Sequence, residues 1–195
     1  MPSAERPPEQ ARLLLDLARE SIAHGLRTGR PLKVDPSAYP EPLRGNAATF
    51  VTLTRDGELR GCIGTLEAYQ PLVVDVAEHA YAAAFRDPRF AALTEAEFPR
   101  LRLSISILSA PEPMSFEDEA DLLRQLRPGV DGLILEEDGL RGTFLPSVWE
   151  SLPTPVEFLR HLKRKAGLPY DYWSKTLRVS RYTAEHLGED DLADG

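Results

Sequence analysis

The sequence predicts an α+β fold in which antiparallel β-hairpins and sheet pack against helices. Three observations carry that expectation. Asp56-Gly57 and Asp138-Gly139 each lie between two short strand-like runs, as two-residue hairpin turns do. Leu101, Leu103, Ile105 and Ile107 alternate with Arg102, Ser104 and Ser106, the period of a half-buried strand. Between these segments apolar residues recur at helical spacing.

In chain order, Pro7-Pro8 opens a helix over about 9–28, with Leu13, Leu14, Leu17, Ile22 and Leu26 as its apolar stripe and Gly29 as its stop. A connector carrying Pro31, Pro36, Pro40 and Pro42 is too irregular for regular structure. The first hairpin pairs 48–55 with 58–66. Pro71 starts a helix to about Arg86, with Leu72, Val73, Val76, Ala80, Ala83 and Ala84 inward. Thr94 and Glu97 have capping-box spacing and predict one short helical turn before the strand 101–108. A helix near 117–126 leads to the second hairpin, 132–137 with 140–145. Helical segments at 147–152 and 155–166 follow, the latter with Thr154 as N-cap and Gly167 as its end. A last strand spans about 176–183.

The two halves share short matches in the same order. Leu59-Arg60-Gly61 recurs as Leu140-Arg141-Gly142, and Leu101-Arg102-Leu103-Ser104 as Leu177-Arg178-Val179-Ser180. These matches point to an internal β-β-α-α-β duplication, with chance resemblance as the alternative.

Composition narrows the class of function. The chain has 195 residues, enough for one ordinary domain or two joined halves with a real core. Its net charge of −8 argues against nucleic-acid binding, which needs clustered Lys and Arg. No apolar run approaches the length of a membrane span, and Met1–Pro8 lacks a signal-peptide pattern. One cysteine excludes an intramolecular disulfide, which fits a cytoplasmic protein. It also excludes a cysteine-ligated iron–sulfur cluster within the chain. No phosphate loop or nucleotide fingerprint appears, and the four histidines lack metal-ligand spacing, so no cofactor and no metal are expected. Residues 188–195 read as an acidic, disordered tail, with Glu185 and Glu189 in the same solvated run.

The candidate site is Leu59-Arg60-Gly61-Cys62-Ile63-Gly64. Glycines inside a strand mark a bulge or a close approach of backbone or ligand. A regular two-residue hairpin sets Arg60 opposite Leu53 and Cys62 opposite Val51, with Arg60, Cys62 and Gly64 on one face. Arg60 and the thiol then lie about 7 Å apart on the same side. There a guanidinium would activate the thiol or hold an anionic ligand beside it, with Gly61 and Gly64 giving access. The bland alternative is a small apolar filler at Cys62 and two glycines that admit a packed helix. A nucleophilic cysteine needs a base, for which His79 is the best placed of His24, His79, His161 and His186; a helix-surface histidine is the alternative. Phe85-Arg86-Asp87-Pro88-Arg89-Phe90 offers Arg86 and Arg89 as further anion ligands, or is simply a helix end and turn.

Leu59–Gly64 resembles the signature hexapeptide of the AMMECR-domain family. Phe50-Val51-Thr52-Leu53, Ala84–Phe90, Leu126–Gly132, Thr143–Trp149 and Arg164–Leu168 resemble further family blocks, so the likeness spans about 8–187 in order. Ser147 departs from the glutamine common in bacterial relatives. The resemblance implies two unequal subdomains with a groove between them within one domain over 8–187. It also implies that the hexapeptide is the functional segment, which places Arg60 and Cys62 at the site. Bacterial members carry the designation AmmeMemoRadiSam system protein A, which implies Memo-type and radical SAM proteins as partners. It brings no mechanism with it. Two functions are therefore expected in competition: a small-molecule or catalytic site at the hexapeptide, or a non-catalytic accessory module.

Overall fold

The first hairpin forms as its turn residues require. In the computed structural model, which describes residues 6–192, Asp56 and Gly57 both take positive φ, the conformation that matches strand twist in a two-residue connection. They join β1 (Ala48–Arg55) to β2 (Glu58–Gly64). Helix α1 (Pro8–Thr28) precedes them, and α2 (Leu72–Phe85) follows. Strand β3 (Leu101–Leu108) then pairs antiparallel along the other side of β1, Val51 opposite Ile105 and Leu53 opposite Leu103. Val51, Leu53, Leu101, Leu103 and Ile105 bury one face of this sheet with Leu14, Ile22, Val73, Val76 and Ala80 of the two helices. The other face carries Phe50, Thr52, Thr54, Arg102, Ser104 and Ser106, which the alternation turns away from α1 and α2.

The same plan recurs in the second half. After the two-residue strand β4 (Glu112–Pro113) and α3 (Glu119–Gln125), β5 (Gly132–Glu137) and β6 (Leu140–Phe144) form a hairpin on Asp138-Gly139, again with both φ positive. Helix α4 (Pro155–Lys165) follows, and β7 (Arg178–Tyr182) returns along the free side of β5. Strand order is β2-β1-β3-β8 in one sheet and β4-β7-β5-β6 in the other, where β8 is Ala184–Gly188. Each half is thus a hairpin, a helix and a strand that returns beside the hairpin's first strand. Residues 109–184 make one compact unit, and residues 6–108 with 185–192 make the other. The second core gathers Leu133, Leu135, Trp149, Phe158, Leu162 and Val179, with Trp149 stacked on Phe158 at 3.8 Å between ring centroids.

Strand β8 corrects the expectation of an acidic tail. Glu185 pairs with Arg6, and Glu189 binds Arg19 through both oxygens at 2.8 and 2.9 Å while accepting the Leu103 N–H. Those acids are spent on the first unit rather than on solvent. Asp194 and Gly195 lie outside the described residues. Among the described residues no helix is long and apolar enough to cross a membrane.

Candidate functional site

The hexapeptide departs from the regular hairpin at one residue. Leu59 faces Thr54, but Gly61 faces Leu53 and Cys62 faces Thr52, so Arg60 is an extra residue, a β-bulge. Two contacts explain the slip. A Cβ at Gly61 would collide with the Ala83 carbonyl of α2, so only glycine lets the helix end rest on the strand. Arg60, with 7% of its surface exposed, runs into the segment after α2. It donates to Glu97 through Nε and Nη2 at 2.9 and 3.2 Å, and to the Ala91 carbonyl at 2.8 Å. Gly64 is held for a different reason, because a Cβ there would strike the Phe50 ring and the Thr49 carbonyl of β1.

The bulge corrects the expected register and with it the partnership of Arg60 and Cys62. Arg60 and Gly61 oppose Leu53 on the helix-covered side, whereas Cys62 shares the opposite side with Thr52. Arg60 is therefore a structural cation. Its partner Glu97 also binds Arg55 and accepts the N–H and hydroxyl of Thr94 in the predicted capping box. The Arg60 guanidinium, with help from Thr94, pulls the Glu97 carboxyl down to about 2.

His79 is also on the helix-covered side. The Thr49 hydroxyl donates to Asp75 Oδ2 at 2.6 Å, so its oxygen accepts from His79 Nδ1–H at 3.1 Å. Asp75 is fully buried and also accepts from Gln70 at 2.9 Å. This network ties α2 to the start of β1 with the sheet between His79 and the thiol. Arg86 is exposed and rests on the Tyr81 ring.

The residue that meets Cys62 is Arg89. Cys62 is a half-buried free thiol whose sulfur accepts from the Thr52 hydroxyl at 3.2 Å. β2 is an edge strand, and at Cys62 its outward backbone groups are taken by side chains. The Cys62 N–H donates to Asp87 Oδ2 at 2.9 Å, and Arg89 Nη2 reaches the Cys62 carbonyl at 3.5 Å. Asp87 is 4% exposed and grips Arg89 with both oxygens, at 3.0 Å to Nε and 2.7 Å to Nη2. That guanidinium, together with the Cys62 and Arg89 N–H groups, holds the Asp87 carboxyl well below the usual carboxylate range. In return the Asp87 carboxylate raises the Arg89 pKa. Half of the Arg89 side chain stays exposed, and its Nη1 is left without a hydrogen-bond partner among the described residues.

Cys62, Thr52 and Ser104 lie in one row across three strands, all small and all half-buried. On the same face, towards β8, a cavity of about 190 Å³ is lined by Thr54, Arg102, Ser104, His186 and the acids Glu189, Asp190 and Asp191, with Cys62 and Arg89 outside it. A cavity of about 470 Å³ lies elsewhere, beside α1, where Arg19 and Glu189 already satisfy each other. The second unit shows what a filled row looks like. The positions matching Cys62, Thr52 and Ser104 are Thr143, Ile134 and Ser180. There the Thr143 hydroxyl donates to the Leu133 carbonyl and meets the buried Tyr182 hydroxyl, whose ionisation burial pushes up to about 12. Thr52, Ser104 and Asp87 were not singled out by the sequence, although the small polar side of β1 and β3 was legible. Among the described residues no group of three or more His, Cys, Asp or Glu converges on a metal position.

The AMMECR1 family model matches residues 15–187, and the chain belongs to that family. A protein of Methanothermobacter thermautotrophicus is 38% identical over 188 residues, covering 93% of this chain and 95% of its own. One from Thermotoga maritima is 36% identical over 166 residues, 84% of this chain and 90% of its own. The crystal structure of uncharacterized protein PH0010 from Pyrococcus horikoshii superposes with a TM-score of 0.83 at 34% identity, over 91% of this chain and 90% of that one.

Proposed function

We propose that the first unit binds a small anionic molecule at Cys62, on the sheet face turned away from α1 and α2. The observation that carries this reading is the Arg89 guanidinium, fixed against the Cys62 backbone by a buried carboxylate with its Nη1 donors uncommitted among the described residues. Arginine so held offers directional donors to a carboxylate or phosphate. Thr52 and Ser104 supply hydroxyls along the floor beside the thiol. Of the arginines expected as anion ligands, Arg60, Arg86 and Arg89, it is Arg89 that takes the role first given to Arg60. Gly61 and Gly64 act by admitting α2 and Phe50.

Binding without catalysis is the favoured form, because the Cys62 sulfur meets the Thr52 hydroxyl while His79, the expected base, is engaged with Thr49 on the helix-covered side. In that form the protein serves as a cytoplasmic accessory of the AmmeMemoRadiSam type, presenting its ligand to Memo-type and radical SAM proteins. Thermal shift against a panel of small carboxylates and inorganic phosphate tests the site. A ligand should raise the melting temperature of wild type, slow Cys62 alkylation, and do neither in Arg89→Gln. If no anion protects Cys62, the reading fails. Loss of Memo-type co-purification in the same variant is the expected sign of the accessory role.

A further inference from the structure

Asp87 is the most buried charge around Cys62, and it makes two kinds of contact at once. One oxygen set grips the Arg89 guanidinium, and the same carboxylate accepts the Cys62 N–H. The pair is ordered from both ends, since the Asp87 carboxylate also accepts the Arg89 backbone N–H at 3.1 Å. Phe90 completes the support, with the Arg89 and Arg60 guanidiniums 5.5 and 5.8 Å from its ring centroid. Two features follow. The Nε and Nη2 edge of Arg89 is occupied, so an incoming anion can meet only Nη1. And the carboxylate cancels most of the net positive charge, so anion selection there depends on where Arg89 is held more than on how much charge is present.

We infer that Asp87 is the positioning residue that sets the charge selectivity of the Cys62 site. It acts through Arg89 and touches no ligand itself. The inference rests on the anion-binding reading above and adds to it the restriction to ligands that use one guanidinium edge, such as a carboxylate engaged through a single face.

The test uses the thiol as its own reporter. Alkylation by anionic iodoacetate and by neutral iodoacetamide is measured on the folded chain, and the ratio of the two rates is taken. A structural loosening around Cys62 speeds both reagents and leaves the ratio alone, whereas a displaced Arg89 changes it. Arg89→Gln should lower the ratio about threefold, the size expected for one unit charge near the thiol in a water-like dielectric. For Asp87→Asn, simple charge removal and loss of positioning predict opposite signs. Deleting a negative charge alone raises the preference for iodoacetate; releasing Arg89 lowers it. The inference expects a fall of about twofold or more, most of it restored in Asp87→Glu. Arg89→Lys gives an independent reading if Asp87→Asn does not fold. An ammonium cannot reproduce the planar two-bond fork by which Asp87 fixes the guanidinium, so Arg89→Lys should lose at least half of the preference. A ratio in Asp87→Asn that is unchanged or raised, or a wild-type ratio in Arg89→Lys, overturns the inference while leaving the anion site standing. A ratio unmoved by Arg89→Gln instead removes the anion site, and the inference with it.

Discussion

Gly61→Ala should be among the most damaging single-methyl changes in the first unit. The added Cβ meets the Ala83 carbonyl of α2, a backbone atom that cannot rotate aside. Relief requires the end of α2 to lift off β2 by about 1 Å, exposing on the order of 100 Å² of apolar surface around Ala80, Ala83 and Ala84, or about 2.5 kcal/mol at about 25 cal/mol/Å². Gly142→Ala is the internal control. Its Cβ would stand 2.9 Å from the Ala166 methyl and 3.0 Å from the Ala166 N, at the C-cap of α4. That less severe contact should cost about 1 kcal/mol. Urea unfolding followed by far-UV circular dichroism gives both values. Cys62 exposure reports the first unit, and the fluorescence of Trp149 and Trp173 the second. A cost for Gly61→Ala below about 1 kcal/mol, or one smaller than that of Gly142→Ala, would refute the role given to the glycine.

Glu97 and His79 give two further tests. Because the folded chain holds the Glu97 carboxyl near 2 against an ordinary 4.5, the unfolded chain binds the proton first as pH falls. The stabilisation is complete above pH 4.5 and drains away towards pH 2; Glu97→Gln should remove about 1–2 kcal/mol at neutral pH, after allowance for solvent screening, and flatten the loss of stability across that window. An acid-titration curve unchanged by the substitution would contradict the Arg60–Glu97 account. His79→Gln should destabilise the protein by about 1–3 kcal/mol, since His79 Nδ1 also stands 3.1 Å from the fully buried Asp75 Oδ2 and that carboxylate loses the contact. It should leave the pH profile of Cys62 alkylation in place, whereas a displaced profile would return His79 to the role of base.

Much of the architecture was legible because it is local. Asp-Gly turns, the alternation of 101–108 and the Thr154 cap all specify their own few residues, and each element appears where expected. The candidate site was legible only as a segment. The bulge at Arg60 is set by a helix end pressing on Gly61 and by Glu97, 37 residues away. Neither leaves a mark in the hairpin itself. The pairing of Arg89 with Cys62 spans 27 residues, so the two motifs could be named but not joined. Strand β8 escaped notice because Leu187 is its one strongly buried apolar side chain amid acids.

The side chains on the rim of β2 also govern how the protein behaves in company. An unpaired strand edge is a template for another chain, and a thiol placed on it would let two such chains become covalently linked. At Cys62 the donor and acceptor that a second molecule would need are already occupied by Asp87 and Arg89. A neighbouring copy therefore finds no free rung at the residue where a chance encounter could be locked by oxidation. The same clasp thus guards this edge against pairing with a second copy, and variants that open it are expected to form disulfide-linked dimers at concentrations where wild type does not.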